Sequence, residues 1–175
     1  GYSVDIATNI TQPIDEKVHQ LGCKIYQIDF QRNPLSLKNI MSFKQLSDLM
    51  KDQDYDVLHT HTPIASMIAR LSAIKIRKNG LKVFYTAHGF HFYRGAPSIN
   101  WLVYYPIEKI LSRFTDVIIT INKEYYNLAR KKFRGPKIFL TSGVGVDRQK
   151  FKPIQPDDKH KIRKKMNIKK PTLNF

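Results

Sequence analysis

Apolar and polar positions switch along the chain between a period of two and a helical period. "YSVDIAT" alternates and is rich in β-branched residues, which predicts a strand over residues 2–7. "PIDEKVHQLG" follows, with Pro13 at a helix start, acidic residues in the first turn and Gly22 at the stop. "KIYQIDF" reads as a second strand. Ile40, Phe43, Leu46, Leu49 and Met50 recur at helical spacing and predict a helix over about residues 38–52. "DVLHT" is the third strand, and a helix over about 63–78 ends in basic residues and an Asn79-Gly80 stop. "KVFYTA", residues 82–87, is the fourth strand. In the aromatic-rich helix "INWLVYYPIEKILSRF", Pro106 should kink the helix or mark its true start. "DVIITI" reads as a strand buried on two faces, "KEYYNLARKKF" as a helix and "KIFLT" as a last short strand.

Strands that alternate with helices imply a parallel sheet with right-handed crossovers, the Rossmann-like doubly wound α/β class. A domain of that class is expected to open on a core strand and a strand-to-helix loop, whereas "GYSVDIAT" begins as if already inside the architecture. The sequence holds no Gly-rich phosphate loop. The expectation is therefore a piece lacking the first strand. Residues 1–150 would form one Rossmann-like domain, and residues 151–175, with Pro153 and Pro156, a linker into a further domain.

A length of 175 residues, 42% hydrophobic and 25% charged, suits one substantial core with an appendage and excludes disorder throughout. No apolar run approaches the roughly 20 residues that span a bilayer. The single cysteine, Cys23, rules out an intrachain disulfide and a Cys-rich zinc framework, and points to the cytoplasm. Thirty Lys and Arg against fourteen Asp and Glu give a net charge of +16, which favours a polyanionic partner. Much of it lies in "KHKIRKKMNIKK", whose plain reading is a solvated helix face; with few aromatics and no RNA or DNA signature, nucleic acid is not expected.

Ligands of doubly wound sheets bind outside the carboxyl ends of the strands. His59 and His61 stand at the end of the third strand, and His88 and His91 just after the fourth, in "TAHGFHFYRGAPS". Adjacent parallel strands would bring both pairs to one crevice. The spacings lack the helical HExxH arrangement, and no carboxylate accompanies them, so no metal is expected. No nucleophile elbow appears, and the crevice loops supply no carboxylate pair for glycoside hydrolysis. Strand-end histidines can simply cap the sheet with hydrogen bonds. A neutral imidazole there can also exchange hydrogen bonds or a proton with a hydroxyl, as a sugar offers. Gly89 leaves the backbone open to close approach, or is an ordinary turn glycine. Phe90, Phe92, Tyr93 and Trp101 could stack on a sugar or lipid, or belong to the core; Arg94 could hold a phosphate, or be solvated.

"DVLHTHTPIASMIARL", "VFYTAHGFHFYRGAP", "NWLVYYPIEKILSRFTDVIITIN" and "GVGVDRQKF" resemble, in order, the N-terminal half of bacterial family 4 glycosyltransferases that build capsular or exopolysaccharide. The resemblance implies a GT-B architecture, in which two Rossmann-like domains enclose the active site. The N-terminal one mainly holds the acceptor and the C-terminal one the nucleotide sugar. It implies that His88 lies against the transferred sugar and assists catalysis. His61 matches the second histidine of the strand-end motif, and His59, Thr62, Gly89, Phe90, His91 and Arg94 would line the substrate side. "SGVGVD" resembles a turn leading into the interdomain linker, so that Gly143, Gly145 and Asp147 would face the donor. No cofactor is implied beyond the nucleotide-sugar substrate. The acceptor would be a glycan, lipid-linked at the inner face of the membrane, where anionic lipid would attract the basic surface. By this resemblance the piece would fold without catalysing by itself, because the donor-gripping residues would lie beyond Phe175. A non-catalytic basic module for membrane or nucleic acid is the alternative.

Overall fold

The computed structural model describes residues 1–34, 36–143, 145, 147, 149–152 and 156–167. The chain divides into two compact units, Gly1–Gly143 and Val144–Phe175. In the first, β1 (Ile6–Thr8), α1 (Glu16–His19), β2 (Ile25–Gln27), α2 (Lys38–Asp52), β3 (Val57–Thr60), α3 (Pro63–Ile76), β4 (Lys82–Ala87), α4 (Ser98–Leu111), β5 (Val117–Thr120), α5 (Lys123–Lys132) and β6 (Lys137–Leu140) follow one another. The second contains α6 (Pro156–Lys165). The linker signal at Pro153 lies outside the described residues, and Pro156 opens α6.

All strand pairs are parallel, in two sheets: β1 with β2, and β3-β4-β5-β6 in sequence order. Successive parallel neighbours joined by helices make the fold α/β and Rossmann-like. On β4, Val83, Tyr85 and Ala87 share one face by strand alternation and are at most 1% exposed. Val83 packs in a cluster with Leu46 and Met50 of α2 and Ala69, Ala73 and Ile76 of α3. Tyr85 and Ala87 belong to a second cluster with Phe90, Phe92, Ile118, Ala129 and Phe133, flanked by Trp101, Tyr104 and Tyr105 of α4.

The strand expected over residues 2–7 is found as β1 at Ile6–Thr8, and three further elements differ from the sequence pattern for physical reasons. The helix expected from Pro13 shrinks to the four residues of α1, capped by Asp15 Oδ1 accepting from the Lys17 N–H at 2.9 Å. None of its residues is buried, so no packing sustains further turns. Pro106 neither starts nor ends α4, which runs from Ser98 through it to Leu111. Leu102, whose carbonyl loses its partner there, is 72% exposed, so water can serve that oxygen. The helix expected to reach residue 78 is α-helical to Ile76 and closes in a tighter turn over Arg77–Asn79, stopped by Gly80 at φ 110°.

One buried ion pair ties α3 to α4. Arg70 is wholly buried, and its guanidinium donates to both Glu108 oxygens at 2.8 Å while its Nε donates to the Ser66 carbonyl at 3.1 Å. It also lies 4.3 Å over the Tyr85 ring. Each charge is thereby paired and hydrogen-bonded, the condition for tolerating its desolvation.

Candidate active site

β3 and β4 run in register, with Thr60 beside Tyr85, so the chain leaves both strands at one end of the sheet. His61 follows Thr60, and His88 follows Ala87. Three imidazoles form a row there. The His59 and His61 ring centres are 4.4 Å apart, and those of His61 and His88 are 5.6 Å apart. His59 Nε2 lies 2.8 Å from Thr86 Oγ1, and His61 Nδ1 lies 3.3 Å from His88 Nε2.

A nitrogen-to-nitrogen contact of this kind holds one proton, so the two rings constrain each other's tautomer. If His88 Nε2–H donates to His61, the other His88 nitrogen, Nδ1, is a bare lone pair that can take a proton or hydrogen bond from a substrate hydroxyl. If His61 donates instead, His88 Nδ1–H becomes a donor. Among the described residues Nδ1 has no protein partner, and His88 is exposed. Burial and then the neighbouring His61 lower the pKa of His59; burial and then His88 lower that of His61. Both are therefore neutral at pH 7 and available as hydrogen-bond acceptors.

The rest of the expected site separates from this row. Phe90, 5% exposed, is a core ring, edge-on to Tyr125 and Phe133, and Phe92 is wholly buried beside it. His91 stacks on Tyr104 of α4 at 4.4 Å, and its carbonyl accepts from Asn100 Nδ2 at 2.9 Å. Gly89, Phe90 and His91, together with α3 residues Pro63, Ile64 and Met67 and α4 residues Val103, Tyr104 and Ile107, line an apolar cavity of about 310 Å³. Thr62 sits at the N-cap position of α3 with no side-chain capping bond, and its carbonyl accepts from the Ser66 N–H at 2.7 Å. Arg94 is exposed, its backbone N–H donating to Glu124 Oε1 at 3.1 Å. Gly143 adopts φ 82°, where a side chain would be strained and its Cβ would lie 3.4 Å from the Ile121 carbonyl. In the second unit, Gly145 has open space around it, and Asp147 Oδ1 accepts from the Gln149 and Lys150 N–H groups at 2.9 and 3.1 Å.

Sequence reading missed Tyr125. Its hydroxyl would lie 3.5 Å from a Cβ placed on Gly89, so it borders the loop that carries His88. Burial, then the Glu124 charge, raises its pKa, which keeps the hydroxyl protonated as a donor. The available signal was Asn122, a capping residue two positions past the end of β5, which is the next strand of the same sheet. Among the described residues no group of three or more His, Cys, Asp or Glu could hold a metal ion.

The glycosyl transferase 4-like family matches residues 1–122. The chain is 40% identical over 169 residues to EpsD of Bacillus subtilis (strain 168), whose name assigns it to the glycosyltransferases; the match covers 94% of this chain and 42% of EpsD. It is 30% identical over 135 residues to the Escherichia coli UDP-Gal:alpha-D-GlcNAc-diphosphoundecaprenol alpha-1,3-galactosyltransferase, covering 75% of this chain and 34% of that one. The chain thus spans less than half the length of these relatives. An S. aureus MnaA–UDP structure shares the fold at a TM-score of 0.56 and 16% identity, over 89% of this chain and 40% of the other. With its residues 1–122 matched by the family model, more than half of its length, the chain belongs to the glycosyl transferase 4-like family.

Proposed function

We propose that this chain is the acceptor-side part of a glycosyltransferase that moves a sugar from a nucleotide-sugar donor to a lipid-linked glycan in capsular or exopolysaccharide synthesis, at the cytoplasmic face of the membrane. The observation that carries the reading is the His61–His88 contact at the sheet end of a family member. The names of the relatives support it: one is a galactosyltransferase acting on a diphosphoundecaprenol-linked sugar.

In the transfer, the bond from the anomeric carbon to the nucleoside diphosphate breaks as the acceptor oxygen bonds to that carbon. The acceptor proton must leave. His88 Nδ1 is the base or hydrogen-bond acceptor at this point, and His61 holds the tautomer that frees it. His59 holds its own place through Thr86. Neutral His59 and His61 keep the row from repelling a protonated His88. The Tyr125 hydroxyl borders the loop as a donor, and Gly143, Gly145 and Asp147 lie on the segment assigned to the donor side.

The test is sugar transfer by the full-length protein from a panel of nucleotide sugars to diphosphate-linked lipid acceptors. Transfer that depends on His88 supports the reading. A full-length protein with no transfer to any lipid-linked glycan, or transfer indifferent to His88, counts against it.

A further inference from the structure

Of the aromatic residues that the chain brings past His88, one is left facing solvent. Phe90 and Phe92 are core rings, and Trp101 packs against that core with its indole N–H donating to the Tyr93 carbonyl at 3.2 Å. Tyr93 itself is 41% exposed. Its carbonyl also accepts from the Ala96 N–H at 3.0 Å, and the N–H of the next residue, Arg94, donates to Glu124 Oε1 at 3.1 Å. An exposed ring on a backbone held by three hydrogen bonds loses little freedom when a ligand covers it.

Helix α5 brings polar groups to the same place. β4 and β5 pair in parallel with Ala87 beside Thr120, so the turn that leaves β5 stands beside the loop that carries His88. Asn122 caps α5 by accepting the Tyr125 N–H at 2.8 Å, which fixes Glu124 and Tyr125 in its first turn. The Tyr125 ring packs edge-on to Phe90 and lies beside Gly89, the residue after His88. Burial raises its pKa most, and the nearby Glu124 charge and Tyr93 phenol raise it further, so the three side chains share one small region. Among the described residues neither the Tyr125 hydroxyl nor Glu124 Oε2 has a hydrogen-bond partner.

An exposed ring, a hydroxyl that donates and a carboxylate oxygen that accepts suit a ligand with C–H groups on its face and hydroxyls at its edge. That ligand is a sugar ring. The Glu124 charge disfavours a phosphate group here, and among the described residues no group able to hold a metal includes it. We infer that Tyr93, Glu124 and Tyr125 form a subsite beside His88 for a neutral pyranose ring of the acceptor glycan. The Tyr93 ring lies against the C–H face of the sugar, the Tyr125 hydroxyl donates to one of its oxygens, and Glu124 Oε2 accepts from one of its hydroxyls. That the sugar belongs to the acceptor rests on the transfer reading; that a sugar binds here does not.

The first arm of the experiment is saturation-transfer difference NMR of the full-length protein with methyl α-glucoside, methyl α-galactoside and methyl N-acetyl-α-glucosaminide, in the absence of donor. At least one glycoside is expected to be saturated, most strongly at the C–H groups of one ring face. Tyr93→Ala should lower binding by roughly tenfold, the scale of one uncovered ring face. Tyr125→Phe keeps the ring against Phe90, and Glu124→Gln keeps an oxygen for the Arg94 N–H; each should weaken binding by about fivefold. Tyr2→Ala, at an exposed tyrosine elsewhere, should bind as wild type. Thermal unfolding matched to wild type checks that each variant is folded. In the second arm, sugar-transfer kinetics, Tyr93→Ala should raise the acceptor KM by roughly tenfold while kcat and the donor KM change little. The subsite is overturned if the wild-type protein saturates none of the glycosides, or if folded Tyr93→Ala protein saturates them as wild type does. The acceptor assignment is overturned if the donor KM rises in place of the acceptor KM. A protein that binds the glycosides through Tyr93 and transfers no sugar would defeat the transfer reading and uphold the subsite.

Discussion

His61 Nδ1 and His88 Nε2 stand 3.3 Å apart across the ends of adjacent strands, so protonation of one ring is felt by the other. His59 extends the row through its own ring contact with His61. The folded state holds His59 and His61 with lowered pKa values, so it binds fewer protons there than the unfolded chain does. Their contribution to stability is complete above the unfolded value of about 6.5 and is lost as pH falls from there through the folded values. Urea unfolding should show stability declining as pH drops from about 7.5 to 5, with His61→Asn flattening that decline. A pH slope unchanged by His61→Asn would show that the pair does not carry it.

The Arg70–Glu108 pair predicts a different asymmetry. Glu108→Ala strands a wholly buried guanidinium and should cost about 3–5 kcal/mol, read as a lower unfolding midpoint. Replacing both partners by Met and Leu should cost much less than that single change, because no unpaired charge remains. Equal losses in the two variants would mean that packing, not pairing, is what Glu108 contributes.

Much of this arrangement was legible in the sequence, and the exceptions share a cause. α2 and β4 fall on the expected residues because periodicity and burial agree there. The four histidines were placed at one sheet end from strand order, but only three form the row, because His91 finds Tyr104 across the loop. Phe90 and Phe92 could have faced a ligand or the core, and it is contact with Phe133, far along the chain, that makes them core. The Arg70–Glu108 pair was invisible for the same reason: 38 residues separate its partners, and no local pattern marks either as buried. Local signals fix elements; long-range partners fix which side chains are free.

Pro106 tests how that logic extends to α4. It sits in the interior of a helix, on the exposed face, without a backbone N–H for the Leu102 carbonyl. Pro106→Ala should restore that hydrogen bond and raise stability by about 1–2 kcal/mol, the helix-propensity gain less the added freedom of the unfolded chain. A loss of stability would indicate that the proline ring itself packs usefully on the outer face.

If His88 meets the transferred sugar as proposed, its removal must slow the chemical step. In the full-length protein, single-turnover and steady-state kinetics of His88→Ala should show kcat lowered by about 10²-fold or more with KM changed much less, as for a positioned polar group that acts mainly in the transition state. Thermal unfolding of the same preparation should match wild type, since His88 is exposed and lies outside the core clusters. A folded His88→Ala protein that turns over at a near-normal rate would contradict the claim.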